Sequence, residues 1–445
     1  MPKSNPGGIT DPSLGNLTVL CAAAMVLFLV APRTTPGVLG LLALALGLAG
    51  GFLGGLAAGL TGGVTGLMPR LLLLLALWGL ASTAWSADRG EAVDKSFLLA
   101  ALVFVATWAT SVMWRVRPDI SRQLGKVAVI AFSAGLAYLF VEEISDHRIK
   151  RTVFTVLPFA LPAIKHISEA PDGVIVSGYI SNRNMAAMVL ALWPMLLIAW
   201  LGLRRQHRAI WIALLAVVAA ATLAMSKHET SLIALLLAAI VLGLCIVRPR
   251  LGLAAVAVGW IVATMLVVPL ASWAAHGARL HEAAWLPNSA RHRIVLWAYT
   301  AEQVAQRPVH GVGAASTKRI DQMRGPKVDN LPGTKYQWRS GPHAHNVYLQ
   351  TWYELGVIGA ALLCAAGLAL VFSLARLPAA AMPIGAATFT AAATIAAFSW
   401  GMWQAWFLSV FAVSAVLTGL AARIADAAEA EASAARSSVV PAPVE

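Results

Sequence analysis

The sequence predicts an all-α integral membrane protein of about twelve transmembrane helices with one large outer loop. Of its 445 residues, 59% are hydrophobic and only 12% are charged, and the mean hydropathy is +0.74. Such values lie far outside the range of soluble domains. The apolar residues fall in runs of roughly 20, the length that crosses a hydrocarbon core about 30 Å thick. We therefore expect a bundle of membrane spans and, despite a net charge of +13, no nucleic-acid partner.

The N-terminal residues 1–15 contain one lysine and are interrupted by Pro and Gly, which is not the pattern of a cleaved signal peptide. We expect this segment to stay in the cytoplasm. Nine spans are predicted within residues 16–275 and three within residues 346–422. In order they cover 16–32, 37–60, 67–86, 95–114, 124–143, 184–203, 209–225, 230–247, 251–275, 346–375, 379–398 and 402–422.

The charges of the short loops predict the orientation of these spans. With the N-terminus inside, the inner loops hold nine arginines and almost no acidic residues, namely Arg115, Arg117, Arg122, Arg204, Arg205, Arg208, Arg248, Arg250 and Arg376. Positive loops stay in the cytoplasm. Tryptophans near span ends, such as Trp85, Trp114, Trp200, Trp273, Trp400 and Trp403, are then expected to anchor the helices at the interface and not to bind sugar.

Two outer segments are longer than turns. Residues 144–183 include the apolar stretch 150–166, which is short, interrupted by proline and flanked by basic residues, so it is expected to lie at the outer interface. Residues 276–345 form the large loop, which carries ten Lys/Arg against four Asp/Glu between 276 and 344. An anionic ligand on the outer side would explain this basic loop, although a merely solvated loop is also possible. The polar, Ala/Ser-rich residues 423–445 are predicted to be a disordered cytoplasmic tail.

His345 is the candidate catalytic base. It stands where the large loop enters the tenth span, and the positive end of a helix dipole would keep its imidazole neutral. Two alternatives stay open: His345 and Asn346 could only cap the helix, or His343 and His345 could bind a metal. No cysteine or acidic residue stands at a suitable spacing to complete a zinc site, so we expect no metal and no cofactor. Glu354, in the same segment, is expected to be a buried structural partner.

Four cations are candidate ligands for an anion. Arg291 and Arg293 lie in an amphipathic stretch of the large loop, Arg183 enters the sixth span, and Lys227 lies in the outer turn 226–231. Arginine binds phosphate oxygens through a rigid fork of donors and keeps its charge. Each of these side chains could also be an ordinary interfacial residue whose charge reaches water. All of them are nevertheless predicted to lie on the same side of the membrane.

These residues resemble the motifs of the O-antigen ligase and polymerase superfamily. His345-Asn346 followed after nine residues by Gly356-x-x-Gly359 resembles its H-N-x9-G-x-x-G signature. Two weaker matches involve Gly178, Asn182, Asn184 and Ala187, and Arg293, Trp297, Pro308, Gly311 and Gly313. The resemblance covers roughly residues 175–420. One departure is the turn after the seventh span, where the family often has an arginine and this chain has Lys227 and then Glu229.

The resemblance implies a GT-C-like membrane glycosyltransferase of the bacterial inner membrane with its site facing the periplasm. Its donor would be a glycan on polyprenyl (undecaprenyl) diphosphate, and its acceptor the lipid A-core oligosaccharide. His345 would act as general base, and Arg291, Arg293, Arg183 and Lys227 would stabilise the leaving diphosphate. Asn346, Asn182, Asn184, Trp297, Gly356 and Gly359 would support the site. With no Asp-x-Asp pair and no pair of catalytic carboxylates, a metal-independent, inverting reaction is expected.

Other functions compete with ligation. An O-antigen polymerase often carries arginines followed by glycine eleven positions later, which none of the outer arginines here has. A protein O-oligosaccharyltransferase usually carries further soluble sequence. A transporter of polysaccharide or lipid would be expected to show internal repeats and charged residues at mid-membrane, neither of which the sequence shows, and a non-catalytic export scaffold would tolerate loss of His345.

Overall fold

The structure, a computed structural model, describes residues 11–50, 66–157, 167–170, 173–324 and 341–437. Its long helices are α1 (Asp11–Val30), α2 (Thr35–Gly50), α3 (Leu67–Ala81), α4 (Arg89–Met113), α5 (Pro118–Ile144), α7 (Asn182–Gly202), α8 (Arg205–Met225), α9 (Glu229–Val247), α10 (Pro249–Met265), α12 (Asn288–Val304), α14 (Val347–Leu374), α15 (Ala381–Phe398) and α16 (Ala405–Ser437). Short helices are α6 (Arg148–Val156), α11 (Val267–Ser272) and α13 (Ser316–Arg324). Turns of 3-10 helix cover Pro32–Thr34, Ser82–Ala84, Gly178–Ser181 and Leu280–Glu282, and a π-helical turn covers Trp273–Gly277.

The prediction of an all-helical, multi-pass membrane protein is confirmed. Among the described residues, ten helices are long and apolar enough to cross a membrane, or eleven if the bent pair α10 and α11 forms one span. The first predicted span corresponds to α1, whose apolar part Gly15–Val30 is shorter than the others. The second predicted span extends beyond α2 into residues outside the described ranges. The only sheet in the described part of the chain is the antiparallel hairpin of β1 (Ile167–Ala170) and β2 (Gly173–Val176).

Helix α7 lies at the centre of the bundle. It packs against α1, α5, α8, α15 and α16, and its residues from Asn184 to Pro194 are all buried. Helices α8, α9 and α10 instead expose large apolar side chains such as Ile210, Ile240 and Val258. Apolar side chains that face outward are expected where lipid surrounds the protein.

Two predicted elements differ from the structure. The span predicted at 251–275 is bent by 69° between α10 and α11, because Pro269 has no backbone N–H and its ring crowds the carbonyl of Met265. The disordered tail predicted from residue 423 is wrong as far as residue 437, because α16 continues to Ser437. Alanine and glutamate favour helix, and Arg122 on α5 forms a 2.6 Å ion pair with Glu431.

Candidate active site

Four segments that the sequence singles out lie at one end of the bundle, which we call the site face. Asn184 in the first turn of α7 donates its side-chain amide to two carbonyls in the last turn of α1, at 2.6 and 2.9 Å. Gly178, just before α7, lies against Lys227, since a Cβ there would be 2.9 Å from Lys227 Cγ. His228 reaches Ser399 at the end of α15, with 3.4 Å between Nε2 and Oγ. The structural role of Asn184 is therefore to join α7 to α1.

His345 is held in one tautomer. Its Nδ1 lies 2.5 Å from the carbonyl oxygen of Ser399, and a carbonyl can only accept, so Nδ1 carries the proton and Nε2 keeps its lone pair. The backbone of His345 is in the left-handed region with φ 53°, a conformation that is uncommon outside glycine and tends to occur at functional sites. The next residue, Asn346, caps α14 by accepting from the Leu349 N–H at 3.0 Å. Asn346 is thus the cap, whereas His345 is directed to Ser399.

Trp297 positions the loop that carries His345. The indole N–H of Trp297, on α12, donates to the carbonyl of Ala344 at 2.9 Å, and its ring packs against Phe398 with centroids 5.8 Å apart. Ala344 directly precedes His345, and Phe398 directly precedes Ser399, so both contacts adjoin the His345–Ser399 hydrogen bond. Trp297 therefore supports the site from the loop side.

The pKa values of His345 and His343 are both lowered, which keeps these two imidazoles neutral at physiological pH. Burial lowers the pKa of His345 to about 3, with further lowering by the charges of His343, Arg293 and His292 and an opposing effect from the bond to Ser399. Burial and then Arg293 lower the pKa of His343 to about 4. The two rings are 4.1 Å apart in an edge-to-face contact. In the described part of the chain no third His, Cys, Asp or Glu joins such a pair to form a potential metal-binding group.

Arg293 is a cation that acts on three histidines of the site face. Its charge lowers the pKa of His343, His345 and His228, in each case after burial as the main cause. Burial lowers the pKa of Arg293 itself, and the charge of Glu229 opposes that shift. Glu229, at the position where the family often has arginine, therefore acts as a counter-charge to Arg293.

Arg293 and Arg291 project from different sides of α12. Residues two apart on an α-helix project about 200° from each other. Arg291 donates to the side chain of Asn288 in the first turn of α12, and its neighbour His292 contributes to the electrostatics of His345. Arg291 therefore bonds to the first turn of α12, whereas the charge of Arg293 acts on the histidines.

Arg183 lies at the start of α7 over an aromatic ring. Its guanidinium carbon is 5.1 Å from the ring centroid of Trp406, and it interacts electrostatically with Arg33. Its Nε is buried and has no hydrogen-bond partner among the described residues, and the same holds for Oδ1 of Asn182. A bound anion would offset the repulsion between the charges of Arg33 and Arg183 and could accept from the unpartnered Nε. Arg33 is a residue that the sequence did not single out.

Ser399 connects two histidines. Its carbonyl accepts from His345, and its hydroxyl lies 3.4 Å from Nε2 of His228. The His228 ring packs on Trp400 at 5.1 Å, and Trp400 packs on Trp406 at 4.7 Å. This aromatic row runs from the histidines to Arg183. Ser399 could not be singled out from the sequence, because its role depends on a contact between the end of α15 and a residue 54 positions earlier in the chain.

Helix α14 is broken at Gly356. This residue has φ 65° and ψ −165°, a combination that is essentially restricted to glycine. A Cβ on Gly356 would lie 2.2 Å from the carbonyl oxygen of Val309, and the N–H of Val357 donates to the carbonyl of Pro308 at 2.8 Å. Gly359 is buried in the turn that follows. The break therefore allows the turn after α12 to pack directly against α14.

The carbonyls released by this break all have partners. Val312 N–H donates to Tyr353 at 3.0 Å and Gly313 N–H to Glu354 at 2.8 Å, while the indole of Trp78 donates to Leu355 at 2.9 Å. Irregular backbone at membrane depth is tolerated where such partners exist. The glycines of the P-x2-G-x-G run and of the H-N-x9-G-x-x-G signature thus form one interlocked unit.

Glu354 anchors the same unit. The carboxylate is fully buried and accepts hydrogen bonds from Ala315 N–H at 2.7 Å, Thr317 N–H at 3.2 Å and Gln350 at 3.0 Å, and also from the Thr317 hydroxyl and the Trp403 indole. Five donors saturate its oxygens. Glu354 therefore joins α13, α14 and the start of α16 and is not available as a nucleophile.

Comparison with known proteins agrees with these motifs. Residues 214–364, about one third of the chain, match the family model described as O-Antigen ligase. This segment contains Lys227, Arg293, His345 and Gly356, whereas Arg183 lies outside it. The motifs resembling the superfamily signature are therefore found within the matched segment, apart from those at the start of α7.

Proteins named "Putative polysaccharide ligase" in three Rickettsia species are similar to parts of this chain. The relative from Rickettsia felis is 32% identical over 130 residues, covering 27% of this chain and 30% of the relative. The relative from Rickettsia prowazekii is 37% identical over 81 residues, covering 17% and 18%. The relative from Rickettsia conorii is 39% identical over 72 residues, covering 16% and 17%. The match spans less than a third of the length of each of these relatives. In its motifs and in the matched segment, about one third of its length, the chain is similar to the O-antigen ligase family.

Proposed function

We propose that this protein transfers a glycan from a polyprenyl diphosphate carrier to a lipid A-core acceptor at the periplasmic face of the bacterial inner membrane. The observation that carries the proposal is the neutral His345 imidazole, whose proton is fixed on Nδ1 by Ser399, on the same face of the bundle as a group of cations. A hydroxyl acceptor needs a base and a diphosphate leaving group needs positive charge. The site face supplies both.

His345 acts as general base through Nε2. It removes the proton of the acceptor hydroxyl while the hydroxyl oxygen attacks the anomeric carbon of the donor. The bond between that carbon and the diphosphate oxygen breaks, and polyprenyl diphosphate leaves with its electron pair. Because attack comes from the side opposite the leaving group, the anomeric configuration is inverted. The buried, fully bonded Glu354 supports this route, since it is unsuited to form a covalent glycosyl intermediate.

Arg293 and Arg183 stabilise the leaving diphosphate. Arg293 acts from the histidine side and Arg183 from the start of α7, with Arg33 beside it. Lys227 lies next to Gly178, just before α7. Arg291 remains a weaker candidate, because its guanidinium turns to Asn288. Bound diphosphate would also offset the effect of Arg293 on His345 and raise the basicity of Nε2 as the reaction requires.

A polymerase, a protein O-oligosaccharyltransferase and a transporter are the competing functions, and the acceptor is what separates the first two from a ligase. The test is a reconstituted assay with purified wild-type protein and a polyprenyl diphosphate glycan. Three acceptors are offered separately: lipid A-core, a second carrier-linked glycan and a serine-containing peptide. We expect product with lipid A-core, unchanged rates after exhaustive chelation, and an inverted anomeric centre by NMR. Product only with another acceptor, or dependence on a divalent ion, would overturn the corresponding part of the proposal.

A further inference from the structure

A cleft on the site face is not used by the chemistry proposed above. It has a volume of about 270 Å³, close to the lower end of the range for small-molecule sites. We call it the Trp85 cleft. It lies between the turn after α3, helices α12 and α13, and α14, and is lined by Trp85, Ala87, Gln303, Gln306, Arg307, Val312, Ile320 and Tyr353.

The lining of this cleft suits a sugar ring. Trp85 and Tyr353 provide aromatic faces, on which the C–H groups of a pyranose stack, and each carries a polar group at its edge. Gln303, Gln306 and Arg307 project planar groups that can donate to or accept from neighbouring hydroxyls. A purely apolar ligand would make no use of the polar groups of Gln306 and Arg307, whereas a saccharide would.

Trp85 is held in position and has a free hydrogen-bond donor. Its ring lies 5.6 Å from Trp78 and 5.4 Å from His310, measured between centroids. Its indole nitrogen is buried and has no hydrogen-bond partner in the described ranges. A buried N–H without a partner costs stability, and this donor belongs to a residue that lines the cleft. The sequence analysis expects Trp85 to anchor the protein at the membrane interface, whereas in the structure Trp85 lines this cleft. Trp114, which is 43% exposed, remains available for such an anchoring role.

The cleft is continuous with the surroundings of the candidate base. A second, narrower cavity shares Gln303, Ile320 and Tyr353 with the Trp85 cleft and extends to His343 and Ala344. These last two residues directly precede His345. A saccharide bound in the cleft could therefore extend through the narrower cavity to the residues beside His345.

We propose that the Trp85 cleft binds pyranose units of the substrate saccharide, a few units away from the bond that is formed. This inference rests on the proposed glycan transfer. The saccharide belongs either to the donor glycan or to the acceptor core oligosaccharide, and both present the same ring faces and hydroxyls. Bound there, it would align the chain and contribute to saccharide selectivity without touching His345.

The test compares Trp85→Ala and Gln306→Ala with Trp114→Ala in the full-length protein. Gln306 is exposed, so its truncation leaves the fold intact even if loss of Trp85 disturbs the packing of Trp78. Steady-state transfer is measured with donor and acceptor varied in turn. We expect each cleft variant to raise KM roughly tenfold for one of the two substrates, a typical cost of losing one well-placed contact, with kcat within about twofold. The substrate affected identifies the source of the saccharide.

Binding provides a readout that does not depend on transfer. Two soluble probes are used: the oligosaccharide released from the donor by mild acid, and the core oligosaccharide released from lipid A. Saturation-transfer NMR should detect at least one probe with wild type and Trp114→Ala, and much less with Trp85→Ala and Gln306→Ala. Binding without transfer would leave the cleft assignment standing and refute the proposed function. Unchanged KM values together with unchanged probe signals in the cleft variants would overturn the cleft assignment.

Discussion

Replacing Gly356 by alanine should damage the protein more than any ordinary Gly-to-Ala change in a membrane helix. The backbone at Gly356 has φ 65° and ψ −165°, and holding an L-residue there costs about 1–3 kcal/mol. The new Cβ would also lie 2.2 Å from the Val309 carbonyl oxygen, so the turn after α12 must move. Its three hydrogen bonds to α14 are then lost or stretched, each contributing about 0.5–1.5 kcal/mol.

We therefore expect Gly356→Ala to lower the free energy of unfolding by about 3–7 kcal/mol, summing these contributions. The control is Gly259→Ala in α10, where an added Cβ meets nothing within 4 Å and alanine favours the helix. Thermal unfolding is followed with a thiol-reactive dye, since Cys21, Cys245 and Cys364 are all buried. Equal melting temperatures and transfer activities for the two variants would refute the interlocked arrangement at Gly356.

Three further changes test the site. Glu354→Gln places an amide N–H₂ donor where five hydrogen-bond donors now meet a carboxylate. It should lower the free energy of unfolding by roughly 2–4 kcal/mol in the same thermal unfolding assay. A melting temperature equal to that of wild type would contradict the bonding of this carboxylate. Because the pKa of His345 is lowered to about 3, its imidazole stays neutral as pH falls, so kcat/KM should change little between pH 8 and pH 5, whereas a decline centred near pH 6.5 would indicate an ordinary, solvated histidine. Arg293→Gln removes a charge that lowers this pKa and should shift the acid limb of the profile to higher pH. Arg183→Gln should raise the donor KM about tenfold at low salt, while Arg204→Gln, from a loop predicted on the opposite side, should not; equal KM values would exclude Arg183 from donor binding.

Much of the membrane fold could be predicted from sequence because the bilayer imposes it. A span needs about 20 apolar residues, so α4, α5 and α7 to α9 stand where the hydropathy predicts them. The bend between α10 and α11 follows from Pro269 but its angle depends on packing. Composition also misjudged residues 423–437, because polar Ala- and Glu-rich segments are equally compatible with disorder and with an exposed helix such as the end of α16.

The site could be predicted where a residue acts through its local sequence, and not where it acts through distant contacts. His345 and Gly356 belong to one short signature, so their spacing was sufficient to single them out. Ser399, Arg33 and the indole of Trp85 gain their surroundings only when separate segments meet on the site face. Trp403 shows the same limit: predicted as an interfacial anchor, it is buried and donates to Glu354.

The most direct test of the account is the transfer rate of His345→Asn in the reconstituted assay. Asparagine tolerates the left-handed backbone that His345 adopts at φ 53°, so this variant removes the base while sparing the fold, and His276→Ala, an exposed histidine of the same loop, serves as control. The account predicts a loss of at least about 100-fold in kcat for His345→Asn, with a melting temperature near that of wild type and full activity in the control. Transfer by a well-folded His345→Asn at more than about a tenth of the wild-type rate would contradict the assignment of His345 as the base.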